Sequence, residues 1–169
     1  MLRIENFWEM SEYATETYVA PTLKDEEIEI VEQRLGYTLP SSYIDLMRGQ
    51  NGGIPLRSTY PTSEATSWAE DHIAITAFFP LSSTHEYGIA GEMGTHFWGS
   101  EWGYPAIGVA ICDCPSAGHD LVYLDYRACG PTGEPSVVHI DVECEQETKL
   151  ADNFEQFING LRLEEEWDV

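Results

Sequence analysis

Basic residues are scarce in this sequence. Lys and Arg together number 8 among 169 residues, against 30 Asp and Glu, and the formal net charge is −22. Proteins bind nucleic acids and anionic membrane surfaces through Lys and Arg side chains that neutralise phosphate groups. The composition therefore predicts that neither nucleic acid nor membrane is a partner.

Long hydrophobic runs are also missing. No segment approaches the roughly 18 consecutive apolar residues that span a bilayer. The first residues, MLRIENFWEMSEY, lack the basic start and apolar core of a signal peptide. These absences predict a cytoplasmic protein. The length, a hydrophobic content of 43% and five Trp predict one folded domain over residues 1–169 rather than a disordered chain.

Catalytic motifs are absent as well. The sequence has no Gly-rich loop ending in Lys-Ser or Lys-Thr and no Gly-x-Ser-x-Gly elbow. His119, Asp120 and Asp125 are the best candidates for acid–base chemistry, but His119 and Asp125 would lie about 20 Å apart along one face of an extended strand. Asp120 follows a turn and is expected to bond nearby backbone N–H groups. We therefore predict that the protein is not an enzyme.

The spacing of the cysteines is unlike that of a zinc motif. Cys112 and Cys114 are separated by a single residue, whereas zinc motifs usually place two to four residues between neighbouring cysteines and add a second pair. Cys129 and Cys144 do not form such a pair, although His119-Asp120 would offer further ligand types. The pattern predicts reduced, partly buried thiols, with neither a metal nor a cofactor.

Acidic residues are abundant and are concentrated at the two ends of the chain. Residues 1–35 hold nine of them and residues 141–169 hold ten. If both ends pack on one side of a sheet, their exposed faces form a strongly negative surface. Such a surface can serve solubility alone, or it can steer a basic partner towards the protein and repel acidic ones.

The segment from Thr22 to Ile54 predicts two helices. Thr22 and Asp25 are spaced as a capping box, and apolar residues then recur every three or four positions as far as Gly36, which can end a helix in the left-handed conformation. Pro40 suits the first turn of a second helix, whose apolar face consists of Tyr43, Leu46 and Met47. A chain reversal is then expected at Asn51-Gly52-Gly53, because these residues tolerate positive φ.

Three blocks of the sequence, taken in order, carry a family resemblance. The first contains Glu32, Leu35-Gly36, Leu39-Pro40, Tyr43 and Asn51-Gly52-Gly53. The others cover residues 119–127, 130–135 and 137–141, and then 150–158. Together they resemble the SUKH superfamily, which includes yeast cell-wall-assembly regulators and many bacterial immunity proteins. The resemblance implies that the residues defining this fold are Glu32, Gly36, Leu39, Pro40, Asn51, Gly52, Gly53 and Asp125.

The pattern as a whole predicts an α+β fold in a single domain. We expect N-terminal helices, an antiparallel or mixed sheet of about five to six strands, and a closing C-terminal helix at about residues 150–161. Extended segments are expected at residues 54–60, 72–79, 107–112, 119–126 and 136–142.

The two ends of the chain are expected to behave differently. Residues 1–21 should form an extension that packs on the domain through Phe7, Trp8, Tyr13 and Tyr18. Residues 162–169 should form an acidic tail that is mobile from residue 164 onwards.

Residues 80–106 alternate glycines with aromatic residues and predict long, shaped loops. Such loops can place side chains for binding, although these aromatic residues could equally plug the edge of the sheet. As candidate partner-binding residues we select Trp98, Glu101, Trp102 and Tyr104, together with Trp68 from the turn-rich segment 61–71. The solvated acids Glu26 and Glu29 complete the set.

Resemblance to the SUKH superfamily implies a non-enzymatic immunity protein that neutralises a cognate bacterial toxin. Many such toxins act on nucleic acid and are expected to be basic, so a charge of −22 suits a basic protein partner. The alternatives are a regulatory scaffold like the yeast members, or a small-ligand module that uses the Gly-aromatic loops 87–105.

Overall fold

Antiparallel strand pairing organises the chain. The strands are β1 Thr59–Pro61, β2 His72–Ala74, β3 Ala77–Phe78, β4 Gly108–Asp113, β5 Asp120–Asp125, β6 Ser136–Asp141 and β7 Gln146–Ala151. The computed structural model describes residues 1–167, and within that range the last five strands form one sheet in the order β3-β4-β5-β6-β7. A separate small sheet pairs β1 with β2.

Helices stand before, within and after this run of strands. They are α1 Glu12–Tyr18, α2 Asp25–Leu35, α3 Ser41–Gly49, α4 Thr95–Trp102 and α5 Phe154–Gly160, followed by a 3₁₀-helix, Glu164–Trp167. The prediction of an α+β fold in a single domain, with N-terminal helices, an antiparallel or mixed sheet of about five to six strands and a closing helix, is confirmed. The large sheet has five strands, all antiparallel.

The two helices predicted near the N-terminus form as α2 and α3, with small shifts at their starts. The N-cap of α2 is Lys24, and the helix begins at Asp25, so the predicted capping box at Thr22 is wrong. Gly36 ends α2 with a φ of 80°, in the left-handed conformation that was predicted. Pro40 is the N-cap of α3 and stands one residue outside the first turn.

The predicted strand at 72–79 is divided between the two sheets. The N–H of Ile75 donates to the carbonyl of Ser58, next to β1, at 2.7 Å. The N–H of the following residue, Thr76, donates instead to the carbonyl of Asp113 in β4 at 2.8 Å. The chain therefore leaves the small sheet after β2 and enters the large sheet at β3.

Helix α4 and strand β7 were not predicted. Helix α4 lies inside the segment 80–106, for which loops were expected, and it ends at Gly103 with a φ of 77°. The prediction of a helix from Leu150 onwards is wrong, because Leu150 belongs to β7. The closing helix α5 starts later, after Asn153, whose side chain caps it by accepting the N–H of Gln156 at 2.8 Å.

The N-terminal extension contacts the domain through its first aromatic residues. Phe7 is 1% exposed, and its ring centroid lies 5.8 Å from that of Phe78. Trp8 forms an isolated bridge with Pro55, so the predicted extended segment 54–60 pairs with the extension and enters β1 only at its end. Tyr18 is 7% exposed, as its predicted packing requires, whereas Tyr13 is 61% exposed, so the prediction that Tyr13 packs on the domain is wrong.

The end of the described chain is attached to the small sheet. The Trp167 indole N–H donates to the hydroxyl of Thr59 at 2.7 Å, and its ring stacks on His72 with centroids 4.2 Å apart. Within the predicted acidic tail, Glu164–Trp167 therefore form a 3₁₀-helix attached to the small sheet, and the mobility of the tail stays a prediction. Residues 168–169 lie outside the described residues.

Glu32 has a structural contact. Its Oε2 accepts the N–H of Leu39 at 2.6 Å, which joins α2 to the turn before α3. The hydroxyl of Tyr126 donates to the carbonyl of Thr38 in the same turn at 2.8 Å. The first and second sequence blocks therefore meet at this turn.

Asn51 connects three segments of the chain. Its side chain is 4% exposed, accepts the N–H of Leu81 at 2.7 Å and donates to the Leu81 carbonyl at 3.0 Å. Its own carbonyl accepts the N–H of Ala20 at 2.9 Å. Gly52-Gly53, with φ of 97° and 141°, completes the reversal, and the second glycine exchanges backbone hydrogen bonds with Phe78.

We expect Asn51→Ala to lower the free energy of unfolding by about 2–3 kcal/mol, because it leaves the buried N–H and carbonyl of Leu81 without partners. Asn159 offers a matched control, since its amide also bonds two backbone groups, the N–H of Arg3 and the carbonyl of Met1, but at the surface. Asn159→Ala should cost less than about 0.5 kcal/mol. Equal losses in urea unfolding would contradict the assignment.

Asp125 is bound by Arg127. The guanidinium donates to both carboxylate oxygens at 3.0 and 2.9 Å and reaches Glu147 at 2.9 Å. Burial raises the pKa of Asp125, but the hydrogen bonds from Arg127 outweigh it and hold the pKa below its usual value. The resulting stabilisation is present above about pH 4, the ordinary pKa of Asp, and is lost as the pH falls through the lower pKa of the folded state.

We expect Arg127→Gln to reduce the free energy of unfolding at pH 7 by about 1 kcal/mol. Lys149→Gln removes the same charge from an exposed pair with Asp152 and should have an effect below about 0.5 kcal/mol. The difference in unfolding free energy between the wild type and the Arg127 variant should shrink when unfolding is measured below pH 4. A deficit that stays constant with pH would show that Arg127 does not act through Asp125.

Candidate functional site

Helix α4 is fixed to the sheet by a buried face. Trp98 and Tyr104 are 7% and 4% exposed, with ring centroids 6.0 Å apart, and Tyr104 stacks on Tyr123 of β5. The hydroxyl of Thr95 accepts the N–H of Ala110 in β4 at 3.2 Å. Trp98 and Tyr104 were predicted to contact a partner, and we correct that assignment: their burial gives them a packing role.

The turn between β4 and β5 packs against the end of α4. The hydroxyl of Tyr104 donates to the carbonyl of Gly118 at 2.7 Å. A Cβ on Gly118 would lie 2.8 Å from the ring of Trp98 and 3.2 Å from that of Trp102. His119 meets Trp102 edge to face at 5.4 Å. This turn and the end of α4 therefore form one packed unit.

A groove of about 320 Å³ lies next to this unit. Trp102, at the last position of α4, is 37% exposed and lines the groove together with Gly103 and Pro105. The remaining lining residues come from the hairpin of β6 and β7: Ile140, Asp141, Val142, Glu145, Gln146 and Glu147. None of these lining residues, all within the described part of the chain, is basic.

Asp141 is the buried acid of the groove. Its Oδ1 accepts the N–H of Cys144 at 2.9 Å. Burial raises the pKa of Asp141, but hydrogen bonds from Ser67 and Cys144 and the proximity of His139 outweigh it, so the pKa lies below its usual value. The carboxylate therefore carries a full negative charge at neutral pH.

The exposed acids follow at alternate positions. Glu143 Oε2 lies 3.4 Å from His119 Nδ1, and Glu147 shares Arg127 with Asp125. Glu145 adopts a left-handed φ of 53° in the hairpin turn, and among the ion pairs found in residues 1–167 none involves it. These acids were not among the predicted site residues, although their alternation from Asp141 onwards was a signal in the sequence that could have indicated the site.

This arrangement can hold a cationic side chain. An Arg or Lys of another molecule could lie over the face of Trp102, a contact of about 0.5–2 kcal/mol. The exposed carboxylate of Glu145 would supply charge-assisted hydrogen bonds at the same place, and the buried Asp141 carboxylate would add negative charge behind it. The groove is therefore suited to recognition of a basic group.

Trp68 stands on a segment that touches the groove. It is 47% exposed in the chain between β1 and β2. Gln146, which lines the groove, donates from its side-chain amide to the carbonyl of Ala65 in this segment at 2.8 Å. Trp68 therefore lies on a segment attached to the groove lining.

The predicted partner-binding acids lie in two places. Glu101 is exposed on α4, next to Trp102. Glu26 and Glu29 are exposed on α2 and do not line the groove. Glu101 is therefore the chain neighbour of a groove residue, whereas Glu26 and Glu29 lie outside the groove.

The acid–base candidates of the β4–β5 turn diverge. His119 is exposed, whereas Asp120 is buried and places its Oδ2 2.6 Å from Nε2 of His139. The prediction that the Asp120 side chain bonds backbone N–H groups is therefore wrong. Cys114 joins this pair, and the ligand atoms of Cys114, Asp120 and His139 lie within 4.8 Å of one another, so these residues could hold a metal ion.

Among the described residues, 1–167, no helix has the length and apolar character needed to cross a membrane.

The order of elements defines an α+β domain in which a helical pair precedes an antiparallel sheet and a helix closes it. A family model described as SUKH_6, SMI1-KNR4 cell-wall, matches residues 25–158, from the start of α2 into α5. Since this match covers more than half of the chain, the chain belongs to the SUKH superfamily, and the resemblance seen in the three sequence blocks is confirmed. A comparison with curated proteins finds no match.

We expect Gly118→Ala to destabilise the packed unit next to the groove. Gly118 and Gly130 both have positive φ, 97° and 80°, so Ala strains the backbone by about 1 kcal/mol at either position. A Cβ at Gly130 meets nothing within 4 Å, whereas one at Gly118 meets Trp98. Gly118→Ala should therefore cost about 1–3 kcal/mol more than Gly130→Ala. Urea unfolding followed by Trp fluorescence measures this difference, and equal losses would contradict it.

Proposed function

We propose that this protein is an immunity protein that binds a basic bacterial toxin in the cytoplasm and neutralises it without catalysing a reaction. Membership of the SUKH superfamily is consistent with an immunity role, as it is with a role like that of SMI1-KNR4 proteins. The observation that carries the proposal is the groove, whose lining combines the exposed Trp102 with the acids Asp141, Glu145 and Glu147 and includes no basic residue.

Charge supports a basic partner in two ways. The net charge of −22 attracts a cationic protein over a distance and raises the rate of encounter. The groove then offers a specific place for an Arg or Lys of that protein. A toxin that acts on nucleic acid needs cationic side chains to hold phosphate, so an acidic inhibitor that occupies those side chains blocks the substrate.

The exposed residues that were predicted from the sequence contribute to binding to different extents in this proposal. Trp102 is the anchor, because an aromatic residue in a groove is typical of interface positions with large binding energy. Glu101 precedes Trp102 on α4, and Trp68 lies on the segment bonded to the groove residue Gln146, so both are secondary contacts in this proposal. Glu26 and Glu29 contribute long-range attraction.

We expect Trp102→Ala and Glu145→Gln to weaken binding of the toxin at least about 10-fold, because each removes a contact that a cationic side chain would make. The binding measurement is calorimetry with a basic toxin domain encoded in the neighbourhood of this gene. Tyr13→Ala and Glu16→Gln are matched controls, since Tyr13 is an exposed aromatic residue and Glu16 an exposed acid on α1. Losses of the same size in the controls would remove the groove from the proposal.

Salt provides a second test of the same proposal. The affinity should fall as salt is raised, because the attraction between opposite charges is screened. An affinity that does not respond to salt would overturn the electrostatic account even if the two proteins bind.

A second cavity favours the small-ligand alternative over the scaffold. It measures about 480 Å³ between α2 and α4, and its lining includes Leu35, Tyr37, Gly99, Tyr104 and Tyr123. A metabolite that raises the melting temperature of the protein, but not of Gly99→Val, would support binding there. The valine side chain would enter the cavity without a backbone clash, since the nearest atom to its Cβ is 3.8 Å away.

A further inference from the structure

Three ligand-type side chains meet inside the sheet at the end of the β4–β5 hairpin. Cys114 follows the last residue of β4, Asp120 is the first residue of β5, and His139 comes from β6. Asp120 pairs with Asp141 and His139 with Val122, so Asp120 and His139 lie on the same face of neighbouring strands. The three side chains are 1%, 3% and 1% exposed, and their sulfur, oxygen and nitrogen ligand atoms lie within 4.8 Å of one another.

Polar atoms of this cluster have no partner. Asp120 Oδ2 and His139 Nε2 are 2.6 Å apart, but within residues 1–167 neither Asp120 Oδ1 nor His139 Nδ1 has a hydrogen-bond partner. The same holds for the hydroxyl of Thr148, which stands opposite His139 in the β6–β7 register. Buried polar groups are nearly always satisfied, by protein, by water or by an ion. The cluster therefore calls for an additional species.

The charges of the cluster select the kind of species. A carboxylate buried in a protein core is costly unless a counter-charge is present. A divalent cation held by the Asp120 carboxylate, a Cys114 thiolate and a neutral His139 imidazole gives a site with no net charge. Thiolate, imidazole and carboxylate together are the ligand types that proteins use for zinc, which also accepts three protein ligands and one water.

We propose that Cys114, Asp120 and His139 form a zinc-binding site. Burial and the neighbouring Asp120 carboxylate raise the pKa of the Cys114 thiol, so the sulfur keeps its proton in the absence of a cation. Zinc binding releases that proton to the solvent and forms a Zn–S bond. It also replaces the hydrogen bond between Asp120 and His139, and the imidazole proton of that bond then resides on Nδ1, so that the imidazole stays neutral. Since the ligands are enclosed, the ion enters as the chain folds.

The proposal is independent of toxin binding, but the ion would support the same region. Its ligands lie at both ends of the β4–β5 turn, whose Gly118 and His119 pack against Trp102. Zinc would hold this turn and β6 together from inside the sheet. Zinc content and toxin affinity are measured separately, so failure of the zinc proposal and failure of the immunity proposal are distinguishable.

The first test measures zinc in the full chain. The protein is refolded with Zn²⁺, passed through a desalting column and a chelating resin, and analysed by mass spectrometry for metals. About one zinc per chain is expected, retained in Cys112→Ser and lost in Cys114→Ser and His139→Gln. Cys112 is the matched control, because it is a buried thiol two residues away that does not belong to the cluster.

Two outcomes of this measurement overturn the proposal. Wild-type protein that holds no zinc would overturn it, and buried water would then be the alternative partner of the unpaired atoms. Zinc retained equally by Cys114→Ser would mean an adventitious ion on the acidic surface. The melting temperature gives the same distinction, since Zn²⁺ should raise it for the wild type and for Cys112→Ser but not for Cys114→Ser.

A spectroscopic test does not depend on whether the variants fold. Wild-type protein refolded with Co²⁺ should show the sulfur-to-cobalt charge-transfer absorption and the intense visible bands of a tetrahedral site. A spectrum with neither feature would overturn the proposal for the wild-type chain. A tetrahedral spectrum without the sulfur transition would exclude Cys114 as a ligand and overturn it as well.

Discussion

The buried amide of Asn51 determines how the helices meet the sheet. The Asn51 side chain bonds both backbone groups of Leu81, and the Asn51 carbonyl accepts the N–H of Ala20. These contacts join the N-terminal extension, the end of α3 and the segment after β3. Leaving such groups unpaired would cost about 1–3 kcal/mol each, so one arrangement of the three segments is strongly preferred. The glycines that follow bring the chain against β3, the first strand of the large sheet, and each later strand pairs with the one before it.

The sequence predicted those elements whose own residues carry a clear pattern. Helices α2 and α3 have apolar residues at helical spacing between clear stop signals, and β4, β5 and β6 are separated by turn residues. Prediction failed where the local pattern is short or fits more than one type of element. Residues 72–79 are apolar enough to be predicted as one strand, yet their two halves bond to different sheets. Leu150 was assigned to the closing helix, but its side chain equally suits β7, the strand to which it belongs.

The candidate site was harder to predict because it depends on partners far apart in the chain. Trp98 and Trp102 are the same residue type one helical turn apart, but the second stands at the end of α4 and is 37% exposed against 7%. Their exposures could not be distinguished without recognising that helix, which five glycines in the segment obscure. Asp120 and His139 become neighbours only through the register of β5 and β6, and no spacing along the chain indicates that register.

The alternating acids of the β6–β7 hairpin affect both the folding equilibrium of the free protein and the proposed binding equilibrium. The exposed acids Glu143, Glu145 and Glu147 repel one another in the free protein, and this like-charge repulsion opposes folding. Dissolved ions screen that repulsion, while they also screen the attraction to a cationic partner. Salt should therefore strengthen the fold of the free protein and weaken the proposed complex. The proposed cationic partner, by neutralising the same carboxylates, would act as both ligand and stabiliser.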